Sequence, residues 1–84
     1  MIKIKIKLFS SLKNHLPKGA ENQDAEIEVG EAVTPLQVLE GLKIPSKLVH
    51  IVLIDKVTLS PEDINSRILI EGETLTVIPP VAGG

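Results

Sequence analysis

Residues 2–9 read Ile2-Lys3-Ile4-Lys5-Ile6-Lys7-Leu8-Phe9. Successive side chains of a strand point to opposite faces, so strict alternation over this length predicts a half-buried strand. Ile2, Ile4, Ile6 and Leu8 share the core face, and Lys3, Lys5 and Lys7 share the other. Residues 25–29, Ala25-Glu26-Ile27-Glu28-Val29, alternate likewise, with Glu26 and Glu28 outward. Charge is segregated between the two segments: residues 1–20 hold five Lys and no acid, and residues 21–31 hold five acids and no base. Antiparallel strands carrying these faces would set Lys opposite Glu. Each such pair contributes about 0.2–1 kcal/mol, enough to help choose a partner strand but not to hold a fold. Two solvated faces without pairing are the plainer alternative.

Working outward, residues 10–24 form a long connection. Ser10 can cap a short helix with Leu12 and Leu16 at i, i+4 spacing, ended by Pro17. A better-marked helix follows. Thr34 suits the N-cap, Pro35 the first helical position, and Gln37 the third position of a capping box. Leu36, Leu39 and Leu42, with Val38, give it an apolar face, and Pro45 is expected to stop it. Residues 50–54 read as a buried strand, and Asp55-Lys56 as a tight turn into Val57-Thr58-Leu59. Ser60-Pro61-Glu62-Asp63 starts a short helical turn. Glu71-Gly72-Glu73 turns the chain into a last strand over 74–78. A hairpin, one helix across its face and further strands make an α+β domain with a mixed sheet of about five strands, the ubiquitin-like β-grasp architecture. The expected organisation is a domain over 1–78 and an extended tail over 79–84.

Composition excludes several functions. At 84 residues there is room for one small core. A charge of −2 argues against a basic nucleic-acid binder, and an aromatic content of 1% against base-stacking platforms. The absence of Cys removes disulfides, thiolate metal sites and Cys nucleophiles. His15 and His50 are isolated, so surface or satisfied histidines are expected and no metal site. No apolar run approaches the ~18 residues of a membrane span, and the N-terminus lacks a leader's apolar stretch. A cytoplasmic protein without membrane or nucleic-acid partners is expected. No Ser-His-Asp set, phosphate loop or carboxylate pair stands out, so no catalytic residue of its own is expected. The Lys3, Lys5 and Lys7 row reads as a solvated face, with contact to an acidic partner patch as the alternative.

The chemistry that remains lies in Pro79-Pro80-Val81-Ala82-Gly83-Gly84. Two prolines remove backbone donors and favour extended chain. Six extended residues reach ~20 Å. A carboxylate on Gly84 is a poor electrophile, but condensation with ATP to an acyl-adenylate supplies a leaving group. Sulfur can then replace it to give a thiocarboxylate, or an amine can attack to give an amide. Glycine, lacking Cβ, suits passage into an enclosing tunnel, where entry brings the reacting atoms together. Gly is ~7% of residues, so a terminal pair arises by chance in ~0.5% of chains and by itself means little.

The ending Val77-Ile78-Pro79-Pro80-Val81-Ala82-Gly83-Gly84, after a Glu-Gly-Glu turn and a final strand, resembles the MoaD/ThiS sulfur carriers. The closer resemblance is to the small subunit of molybdopterin synthase, whose tail reads Pro-Pro-Val-X-Gly-Gly. The opening strand, Leu8-Phe9 and a short helix from Ser10 are also similar. Residues 57–70 look longer than in common molybdopterin carriers. The resemblance implies a carrier with no cofactor of its own. An E1-like enzyme using ATP adenylates Gly84, and a sulfur donor system converts it to a thiocarboxylate. The tail, with Gly83, Ala82, Val81, Pro80 and Pro79 in the tunnel, then enters the large subunit of molybdopterin synthase. There it delivers sulfur for the dithiolene that holds molybdenum or tungsten. Another acceptor pathway (thiamine, tRNA thiolation or cysteine synthesis), a ubiquitin-like modifier joined through Gly84, and an interaction module with an inert tail are the alternatives.

Parity adds a docking expectation. Leu75 and Val77 read inward, and Thr74, Thr76 and Ile78 outward. Phe9 and Ile78 are thus large apolar residues out of register with the core. In a β-grasp the first and last strands lie side by side and parallel, so both fall beside the tail and suit a partner interface. The alternative is a bend that tucks Phe9 under the 10–16 helix.

Overall fold

The computed structural model describes residues 1–9, 12, 15 and 24–80. The elements are β1 (Ile2–Leu8), β2 (Asp24–Val29), α1 (Pro35–Gly41), a 3-10 turn at Ser46–Leu48, β3 (Ile51–Ile54), β4 (Val57–Thr58), α2 (Pro61–Ser66) and β5 (Thr74–Ile78). They build one five-stranded sheet in the order β2-β1-β5-β3-β4. β1 and β5 run parallel, and the other neighbouring strands antiparallel. The outcome is the expected mixed sheet with one main helix.

The alternation of β1 becomes burial. Ile4, Ile6 and Leu8 are enclosed, while Lys3, Lys5 and Lys7 are exposed. Register sets Lys3 opposite Glu28, Lys5 opposite Glu26 and Lys7 opposite Asp24. The charge segregation therefore does mark the partner strand. These are facing rows rather than tight bridges: among the described residues the ion pair within 4 Å is Arg67 with Glu73. β1, β5 and β3 bring Leu8, Leu75, Val77, Val52 and Ile54 onto the helix-covered face, against Val38 and Leu39 of α1.

α1 begins as its capping box dictates. The Thr34 Oγ1 accepts from the Gln37 N–H at 3.3 Å, and the Thr34 N–H donates to Gln37 Oε1 at 3.0 Å. Its end differs from expectation. Pro45 does not stop the helix; Lys43 does, in the left-handed region at φ 60°. The Lys43 N–H donates to the Glu40 carbonyl and the Ile44 N–H to the Leu39 carbonyl, the two bonds of a Schellman turn. The apolar face also differs. Val38 and Leu39 are buried, but Leu36 is 36% exposed and lines a groove between α1 and α2. α2 starts at the expected cap, with Ser60 Oγ accepting from the Asp63 N–H at 3.2 Å.

Of the expected 10–16 helix, only Leu12 and His15 are described. Leu12 is fully buried and donates its N–H to the Phe9 carbonyl, and His15 Nδ1 lies 3.2 Å from the Leu42 carbonyl. Ser10, Leu16 and Pro17 lie outside the described residues.

The start of β5 is fastened by charge. Arg67 forks onto Glu73 with bonds of 3.0 and 2.6 Å, and the Ile70 N–H donates to the same carboxylate at 2.7 Å. The Arg67 hydrogen bond, with help from the Ile70 N–H, holds the Glu73 carboxyl below the usual range against the opposing pull of burial. Asp55, left-handed at φ 56°, accepts the Thr74 N–H on its side chain and donates its own N–H to the Thr74 carbonyl.

Candidate functional site: the root of the tail and the apolar face beside it

β5 is the central strand, so its far end delivers the chain to the middle of one edge of the domain. Leu8 pairs with Val77, which brings Phe9 beside Ile78, and the Phe9 N–H reaches the Val77 carbonyl at 3.4 Å. Across the strand, Ile51 pairs with Ile78 and Leu53 with Thr76. The His50 N–H donates to the Ile78 carbonyl at 3.0 Å. Beyond that bond come two prolines without donors, Pro79 half-buried and Pro80 exposed. Val81, Ala82, Gly83 and Gly84 lie outside the described residues.

Because Leu8, Val77 and Val52 point to the helix side, Ile78, Ile51 and Leu53 belong to the opposite face, and continued alternation assigns Phe9, the residue just past the end of β1, to the same side. All four are half-buried, and none belongs to the enclosed core. They form an apolar strip on the side of the sheet opposite α1, directly beside the root of the tail. Thr76 shares that face but is only 8% exposed, because Lys7 and Leu53 flank it in register on both sides. Reading it as simply outward missed the screening a central strand receives from its neighbours.

Sequence parity set Phe9 and Ile78 off the core face, and both lie outside the enclosed core; it did not reach Ile51 and Leu53. Residues 50–54 are continuously apolar, so no alternation shows which side each residue takes. The usable signal was architectural: a sheet covered by a helix on one face must present every second side chain of such a run to the other.

The strip carries no acid–base pair, and among the described residues no group of three or more metal-ligating side chains forms. No helix among them is long and apolar enough to cross a membrane. The arrangement is an apolar surface beside the point where the chain leaves the sheet at Pro79-Pro80.

This is a ubiquitin-like β-grasp fold. Solved structures with the same fold include the HVO 2177 protein of Haloferax volcanii, at TM-score 0.76 and 22% identity, over 99% of this chain and 87% of that one. SAMP1 of Haloferax volcanii matches at TM-score 0.67 and 20% identity, over 98% of this chain and 99% of its own. A candidate molybdopterin converting factor subunit 1 of Pyrococcus furiosus matches at TM-score 0.68 and 19% identity, over 96% and 100%. No family model matches the chain, and no curated protein does. At these identities the likeness is one of fold, and it is the fold that the resemblance to the MoaD/ThiS carriers implies.

Proposed function

We propose that this protein is a sulfur carrier that works through Gly84. An E1-like enzyme condenses the Gly84 carboxylate with ATP, releasing pyrophosphate and leaving an acyl-adenylate. A sulfide equivalent from a sulfur donor system displaces AMP and leaves a thiocarboxylate. The tail then presents the sulfur to an acceptor enzyme, the molybdopterin synthase large subunit being the favoured one. The protein contributes no catalytic group; its parts are a reactive end, a slim Gly83-Gly84 approach and a docking strip. The observation that carries the reading is the placement of Phe9, Ile78, Ile51 and Leu53 around the point where Pro79 and Pro80 lead off. A partner gripping that strip receives the tail at a fixed origin, which turns a bimolecular encounter into a local one.

A second reading is favoured by the likeness to SAMP1: a ubiquitin-like modifier joined through Gly84 to amines. Both share adenylation and part at the nucleophile. Mass spectrometry after incubation with an E1-like enzyme, ATP and a sulfur donor separates them. Exchange of one oxygen for sulfur at Gly84 supports the carrier. Gly84-dependent conjugates of high mass without that exchange overturn it in favour of the modifier. Deleting Gly84 is expected to abolish either product; activity that survives the deletion leaves the tail inert.

A further inference from the structure

The opposite flank of the sheet holds a second surface, independent of the tail. β2 is an edge strand, paired among the described residues with β1 alone. Its inward residues are less covered than those of its neighbour: Ile27 and Val29 are half-buried, whereas Ile4 and Ile6 of β1 are enclosed. The missing cover is a groove of about 380 Å³ between β2 and α1, walled by Ile27, Val29, Val33, Val38 and Leu42.

Gly41 stands at the helix side of that groove, and a Cβ built there meets no atom within 4 Å. Its φ is not positive, so neither backbone geometry nor crowding calls for glycine. Gly41 is the last residue of α1, where glycine costs less than the about 0.5–1 kcal/mol it does mid-helix. A side chain here would occupy open space at the groove.

Charge says what fits. Across the sheet's outer face, the β1 row Lys3, Lys5, Lys7 faces the β2 row Glu28, Glu26, Asp24. A further strand laid on β2 would face those carboxylates. Like charges directly opposite are unfavourable, so a second copy pairing β2 to β2 would set acid against acid. A basic row continues the alternation. We propose that the β2 edge and the β2–α1 groove bind an extended partner segment in which apolar residues alternate with Lys or Arg. It would add a sixth strand, with apolar side chains in the groove beside Ile27 and Val29 and basic ones opposite Asp24, Glu26 and Glu28. Main-chain bonds supply affinity in this mode, and alternate side chains supply specificity.

The test uses the isotope-labelled full chain and the peptide acetyl-KVKIKVKG-amide, followed by amide NMR. Shifts are expected over residues 24–30 and 37–42, with alternate β2 amides becoming slow to exchange. The acidic peptide acetyl-EVEIEVEG-amide should bind at least tenfold more weakly. Lys3 and Lys5 bond toward β5, so β1 bonds β2 through Ala25, Ile27 and Val29 and leaves the backbone groups of Asp24, Glu26 and Glu28 at the edge. Acetyl-KVKPKVKG-amide and acetyl-KVKIPVKG-amide remove donors that a parallel and an antiparallel added strand would use, and one of the two should lose most of the binding. Gly41→Tyr, at a position where a Cβ meets no atom within 4 Å, sets a ring at the groove and should abolish binding while the melting temperature does not fall. Four results overturn the proposal: β2 amides already uniformly protected in the free chain, undiminished binding by both proline peptides, shifts centred on Phe9 and Ile78 instead, or no shift at ~1 mM peptide.

Discussion

The two ends of β5 are built from opposite materials. At Thr74 the strand is fastened by charge and directed hydrogen bonds: the Arg67–Glu73 fork, the Asp55 side chain on the Thr74 N–H, and Gly72 and Lys5 bonded to neighbouring backbone. At Ile78 it is flanked by half-buried apolar residues and leaves the sheet after one bond from His50. Directed bonds between groups of the same chain fix geometry and leave little for a partner to take up. Half-buried apolar side chains are the reverse, a surface whose remaining burial a docked partner can complete. One end holds the domain in shape, and the other is the end proposed for contact.

Breaking the fastened end should have the larger effect on stability. Glu73→Ala removes the fork and strips the Ile70 N–H of its acceptor. Hydrogen bonds to charged groups contribute about 1.5–3 kcal/mol. The Arg67 side chain is 33% exposed and Glu73 13%, so solvent screening brings the expected loss to about 1–2 kcal/mol. Urea denaturation measures it, and docking of a partner at the far end should be unchanged. The pH dependence has a definite sign. Glu73 titrates lower in the folded chain than unfolded, with the Arg67 hydrogen bond the main cause. Its contribution is therefore complete above the ordinary carboxylate pKa of about 4.3 and disappears as pH falls through the lowered folded value. Glu73→Gln should flatten that part of the acid limb. An unchanged acid limb would mean that the fork does not hold in solution.

Breaking the apolar end should affect binding more than folding. Phe9→Ala is expected to cost under about 1 kcal/mol of stability, against the 3–5 kcal/mol of emptying an enclosed Phe site. Binding to the activating or accepting enzyme should weaken at least tenfold, read by titration calorimetry. Ile51→Ser tests the part of the strip that sequence parity did not reveal, and should behave like Phe9→Ala. A stability loss in the core range would make Phe9 a structural residue and remove the docking role.

What was legible in the sequence was mostly local. The Thr34–Gln37 capping box and the Ser60 cap act over three residues, so the sequence states them directly. The parity of β1 is equally explicit, and the charge rows of 1–20 and 21–31 correctly named the partner strand. The hidden features need partners far along the chain or none of the usual residue types. Arg67 and Glu73 meet because the chain loops between them, and nothing in the intervening Ile68-Leu69-Ile70-Glu71-Gly72 announces a fork. Ile51 and Leu53 are invisible inside a uniform apolar run. The groove at β2 exists only once α1 has been laid across the sheet.

The end of α1 shows the same limit on the smallest scale. Proline is a familiar stop, so Pro45 drew the boundary, yet the chain had already turned at Lys43 with φ 60°. A residue with a Cβ pays about 1–2 kcal/mol for that left-handed conformation, and glycine does not, though glycine gives back part of the gain through its freer unfolded chain. Lys43→Gly is therefore expected to raise stability by about 0.5–1 kcal/mol, a shift in the denaturation midpoint with no change in slope. The Ile44 N–H to Leu39 carbonyl bond that closes the turn should persist, and Ile44 should stay buried. A loss of stability instead would mean that the Lys43 side chain contributes something the turn geometry alone does not explain, and that the helix end is held by more than its two backbone bonds.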